Sequence, residues 1–111
     1  YSSAASDGYK RQPQKRQDGQ SAKILLMAPP HLGDDLTEIP SGEEMGFERG
    51  ISYSKRLAPI YEDWAKFHNI EFLDAAKYAN PSEIDACHLT RESHRKLGKM
   101  VAKKCKEILE I

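Results

Sequence analysis

Apolar positions fall into separate patterns along the chain, and each period predicts a different element. The run Lys23-Ile24-Leu25-Leu26-Met27-Ala28 is unbroken by polar residues after its lysine and ends at Pro29-Pro30. A run without alternation marks a strand covered on both faces, the kind found in parallel sheets under helices. From about Ser52 to His68, Leu57, Tyr61, Trp64, Ala65 and His68 recur at helical spacing while Glu62, Asp63 and Lys66 turn outward, which predicts an amphipathic helix. Pro59 should kink that helix or mark its real first turn, and Tyr61 and Trp64 are assigned to core packing on its apolar stripe. Asn69 is a stop signal, and Ile70-Glu71-Phe72-Leu73 reads as a short strand ending at Asp74. Beyond the turn at Asn80-Pro81-Ser82, Thr90 is the expected N-cap of a last helix. Leu97, Met100, Val101, Cys105, Ile108 and Leu109 form its apolar stripe, and Glu92 and Lys106 suit the two ends of its dipole.

The order strand, loop, helix, strand, loop, helix is that of two successive β-α units, so the expected class is α/β with a parallel sheet. Two strands and two helices do not complete such a sheet, because an apolar parallel strand needs neighbours on both edges and helices on both faces. Roughly half a domain is therefore expected to lie elsewhere, and the chain alone should be poorly stable.

Two stretches carry no period. Residues 1 to 22 hold none of the chain's Leu, Ile, Val or Phe, and read as a polar loop or linker ahead of the α/β portion at 23–111. Residues His31 to Gly50, with Pro40 and four glycines, read as a long loop, and loops of that length are usually functional or disordered.

Composition narrows the classes. With 17 Lys+Arg against 17 Asp+Glu the formal net charge is zero, and residues 1 to 22 hold only four basic residues, so a nucleic-acid partner is not expected. No stretch is long and apolar enough to span a membrane. Cys87 and Cys105 are too few for a disulfide framework and stand too far apart for a C-x-x-C pair, so reduced thiols are expected. The chain opens without Met or a signal-like segment, which reads as a cut end, and the lack of a signal favours the cytoplasm as the expected compartment.

Ligands of open α/β sheets bind beyond the carboxyl ends of the strands, which directs attention to the segments after Ala28 and Leu73. The second carries Asp85-x-x-His88. An Asp three residues before a His can fold back to accept the ring N–H, fixing the tautomer and stabilising the imidazolium when the other nitrogen takes a proton. Taken alone, the same spacing also fits ordinary capping or a surface pair. Cys87 as a nucleophile is disfavoured, because neighbours on an extended segment point apart. A metal held by Cys87, His88 and His94 lacks a supporting carboxylate or cysteine. His94 is read as a helix-face residue, and His31, just past a strand's carboxyl end, as a residue that lines a substrate cleft or simply sits in a solvated loop.

The run from Ile84-Asp85-Ala86-Cys87-His88-Leu89 through Leu97-Gly98 resembles the last block of the SGNH hydrolases, the GDSL-type esterases and acylhydrolases, whose pattern is roughly D-G-x-H-L/F-x-x-x-G/A-H/N-x-x-L-G before a terminal helix. Ile24 to Leu32 is similar to the family's strand ending in a proline pair, Phe72-Leu73-Asp74-Ala75 to its next strand, and the helix around Arg56 to Tyr61 also fits. The resemblance covers about residues 22 to 110. It implies part of a flavodoxin-like three-layer α/β/α sandwich, in which Asp85 orients His88 and His88 is general base, then general acid, in ester hydrolysis without any cofactor. The family's G-D-S serine block, its oxyanion glycine and its G-x-N-D block have no counterpart here, and Ala86 stands where the family has Gly. The serines of this chain match no nucleophile motif. The expected partners are thus an ester substrate and an N-terminal half bearing nucleophile and oxyanion hole, and the chain alone should be inactive. The competing expectation is a non-catalytic α/β interaction module in which Asp85 and His88 are a structural pair. The ring decides between them: a base must face an open cleft.

Overall fold

A computed structural model of the chain describes residues 19–44 and 46–111, so nearly all of the polar segment assigned to 1–22 lies outside the described residues. Strand β1 (Leu25–Ala28) pairs in parallel with β2 (Glu71–Asp74), in the register Leu25 to Glu71 through Ala28 to Asp74. Helix α1 (Phe47–Phe67) connects them and packs on both strands, and helix α2 (Arg91–Leu109) follows β2 and contacts it. The expected β-α-β-α order is the observed one. An ion pair of 3.3 Å between Lys104 and Glu71 also joins α2 to β2.

Local chemistry explains the element ends. At the end of α1, Asn69 takes a left-handed φ of 54°, which asparagine tolerates better than most residues. Its N–H reaches the carbonyl of Lys66 while that of Ile70 reaches Ala65, closing the helix in a Schellman motif. At the start of α2 the Thr90 hydroxyl accepts the Ser93 N–H at 3.0 Å, the expected N-cap. The expected start of α1 needs correcting: it begins at Phe47, five residues ahead of Ser52, after Gly46 turns the chain at φ 79°. That first turn is largely exposed, so it has no apolar period to read. Pro59 lies deep within the helix rather than in its first turn, where it removes one N–H from the ladder.

The long loop after β1 is more ordered than its sequence suggested. It forms 3₁₀ turns at Asp34–Glu38 and Pro40–Glu43, around Leu36, the one large side chain among the described residues that is fully buried. Turns this short have no period to advertise them.

The core is thin. Of the seven buried apolar residues among the described residues, Ala28, Leu36, Ala65, Leu73, Ala75, Ala79 and Ala86, five are alanines. Larger apolar groups lie open instead, among them Ile24, Met27, Ile60, Trp64 and Phe67. Trp64, expected in the core, is 50% exposed, and Tyr61 is half-buried. In a sheet of two strands, each strand has an edge without a neighbour among the described residues, and the apolar face beside β1 is left uncovered.

Candidate active site

The loop between β2 and α2 is built around one carboxylate. Asp85 Oδ1 accepts the backbone N–H groups of Cys87 at 3.0 Å and His88 at 2.9 Å, and Oδ2 meets His88 Nδ1 at 2.5 Å. The spacing makes this possible, since an Asp side chain readily bonds backbone groups two and three residues ahead. Around it, Ser82 O accepts the Ala86 N–H at 2.8 Å, His88 O accepts the Ser82 N–H at 2.6 Å, and Pro81 bridges Leu89 in antiparallel fashion. Asn80 N–H donates to the buried Ser93 Oγ at 2.9 Å, which moors the loop to the first turn of α2.

Charge and exposure divide the pair. The Asp85 carboxyl is pushed down from 3.8 to about 2, chiefly by the bond from the His88 ring and then by the two backbone N–H groups. The His88 side chain is 84% exposed against 33% for Asp85. The ring is therefore held at one nitrogen and open at the rest. Because the carboxyl of Asp85 is depressed on folding, what it contributes is fully present above pH 3.8 and is lost as pH falls through about 2. Titrated by its carboxyl carbon-13 shift, Asp85 should show a midpoint near 2 and not at 3.8; the ordinary value would mean that the carboxylate is not engaged.

His88 opens on a concavity beyond the carboxyl end of β1, lined also by His31, His94, Cys87, Ser54 and the apolar Met27, Pro30, Leu57 and Leu97. The sequence-predicted residues Asp85 and His88 are thus joined, and His31 borders the same hollow. His94 lies on it too, on the exposed face of α2. Cys87 is a half-buried free thiol. Among the described residues no group of three or more His, Cys, Asp or Glu is placed to hold a metal ion.

Two features went unread in the sequence. Ser54 Oγ accepts the Leu32 N–H at 3.0 Å and donates to Ile51 O at 2.7 Å, tying the loop after β1 to α1. A serine three residues before Leu57 on the inward face of the helix was the available signal. With its proton given to a carbonyl, and 8% exposed, Ser54 is a brace. The second is a bond of 2.8 Å from Gly33 N–H to Ala86 O, joining the loop after β1 to the loop of Asp85 and His88. Nothing in local sequence announces that pairing.

No protein-family model and no curated protein matches the chain, but solved structures do. Est24, a carbohydrate acetylesterase from Sinorhizobium meliloti, is 31% identical with a TM-score of 0.68, over 79% of this chain and 40% of that one. The chain resembles the C-terminal half of an SGNH-type esterase. The aryl esterase of M. smegmatis is 27% identical with a TM-score of 0.67, over 78% of this chain and 39% of that one. A carbohydrate acetylesterase family member from S. meliloti, at 24% identity, shares the fold with a TM-score of 0.76, over 96% of this chain and 49% of that one. The chain spans less than half the length of each of these esterases. That proportion accords with the thin core and the uncovered apolar face.

Proposed function

We propose that this chain is the C-terminal part of a serine esterase, with the α/β portion at 23–111 completing a flavodoxin-like three-layer domain and residues 1–22 serving as a connection. The observation that carries the reading is the Asp85–His88 pair itself: one ring nitrogen is tied to a carboxylate and the ring faces an open hollow at a strand's carboxyl end. Similarity to a carbohydrate acetylesterase and an aryl esterase supports carboxylic esters as the substrate class.

In this reading His88 Nε2 takes the proton of a serine hydroxyl supplied by the other half of the domain as that oxygen attacks the ester carbonyl. Asp85 stabilises the imidazolium that forms. The proton then passes from His88 to the departing alcohol, leaving an acyl-serine. A water attacks it through the same base, releasing the carboxylic acid and restoring the serine. Met27, Pro30, Leu57 and Leu97 offer apolar surface to the substrate, and His31 stands at its rim as a substrate-binding residue. No metal or other cofactor is called for.

The test is hydrolysis of a short-chain chromogenic ester by this chain alone and by this chain joined to the segment that completes the domain. Activity only in the combined sample, abolished by a serine-directed phosphonate, is expected. Absence of activity in a folded combined sample would favour the interaction-module reading.

A further inference from the structure

The structure carries a steric pairing between Gly33 and Ala86 that bears on where His88 sits. Ala86 has a left-handed φ of 56° and is fully buried, a conformation that costs a residue with a Cβ and that glycine adopts freely. Its carbonyl accepts the Gly33 N–H and its own N–H is held by Ser82 O, both at 2.8 Å. It lies between Asp85 and the two residues whose N–H groups the Asp85 carboxylate holds. A Cβ built on Gly33 would lie 2.8 Å from Asp35 Oδ1, 3.0 Å from Ala86 Cβ and 3.2 Å from Ala86 Cα. The Asp35 contact is with the end of a side chain that can swing away. The Ala86 contacts are not, because Ala86 is pinned on both its backbone groups.

We infer that positions 33 and 86 share room for a single methyl group, and that Gly33 is a positioning residue that keeps the Asp85–His88 loop at its set distance from the loop after β1. Gly33 itself has an ordinary extended backbone, φ −70° and ψ 147°, so its requirement is space and not conformation. An added methyl there requires Gly33 and Ala86 to separate by a few tenths of an ångström, which strains the bond from Gly33 N–H to Ala86 O and, through Ala86, the segment Ser82 to His88. Removing the methyl of Ala86 takes away the tighter of the two Ala86 contacts, leaving the one at Cα, and lets a glycine, which adopts the left-handed conformation freely, yield to it. Gly33→Ala should therefore displace His88, and Ala86→Gly in the same chain should bring it back.

The inference stands on packing, while its consequence for turnover rests on the esterase reading, so the experiment has two arms. The first follows, by NMR on the full chain, the nitrogen-15 shift of His88 Nδ1, which is set by its bond to Asp85, and the exchange rates of the Cys87 and His88 amides. Gly33→Ala should move that shift toward the value of an unbonded imidazole and speed the exchange on the order of tenfold, as overpacked sites do. The double variant Gly33→Ala with Ala86→Gly should recover both, and Ala86→Gly alone should keep them. Retention of both readouts in Gly33→Ala, or failure of the double variant to recover them, would each overturn the pairing. The second arm measures ester hydrolysis by the completed domain. There Gly33→Ala should lower kcat about tenfold or more with KM little changed, as misplaced catalytic groups do, and the double variant should restore it. An inactive wild-type domain with the expected NMR pattern would remove the esterase reading and leave the steric pairing intact.

Discussion

Replacing His88 by alanine in the completed domain should reduce kcat by about 10⁴ to 10⁶-fold, the loss seen when a nucleophile is deprived of its base. The size follows from the two moments at which the proposed mechanism uses the ring, taking a proton from the nucleophile and then delivering it to the leaving alcohol. His31 and His94 border the same hollow, but among the described contacts neither ring is hydrogen-bonded to a carboxylate as His88 is to Asp85, and Asp34 interacts with His31 only through its charge. The fold should survive, because the His88 side chain is 84% exposed and the backbone bonds at His88 remain available to alanine. Steady-state kinetics with a thermal melt checks both statements. A drop of only a few-fold, with unchanged melting, would take His88 out of the chemistry and return it to the surface.

Legibility in the sequence followed the range of the interactions. The order of elements could be read because each is announced within its own span: the unbroken run before Pro29-Pro30, the stripe of α1, the Thr90 cap. Asp85 and His88 could be found because their whole hydrogen-bond geometry fits within four residues. The early start of α1 and the turns around Leu36 were hidden, since an exposed first turn and a 3₁₀ turn carry no hydrophobic period. The exposure of Trp64 was missed because a stripe at helical spacing says that a face will be covered and not by which segment. The bonds from Leu32 to Ser54 and from Gly33 to Ala86 depend on how separate elements meet. They were beyond any local pattern.

Asp85→Asn separates structure from chemistry, and its expected effect is a fall in kcat of about 10⁴-fold with the loop in place. Asparagine keeps one oxygen acceptor, and that oxygen must face the N–H groups of Cys87 and His88, which only an acceptor can satisfy. The NH₂ group is then forced toward His88 Nδ1. A donor there turns Nδ1 into an acceptor, so the neutral ring must carry its proton on Nε2. An imidazole protonated at Nε2 cannot take a proton from serine. Nitrogen-15 shifts of the ring should therefore report the Nδ1-protonated neutral form in the wild type and the Nε2-protonated form in Asp85→Asn, with the exchange rates of the Cys87 and His88 amides little changed. Asp85→Ala should differ, since it removes the acceptor for both amides as well as the partner of the ring, and amide protection and turnover should be lost together. If Asp85→Asn exchanged its tautomer yet hydrolysed esters at the wild-type rate, the ring would not be the base, and the bond between Asp85 and His88 would serve only to hold the loop.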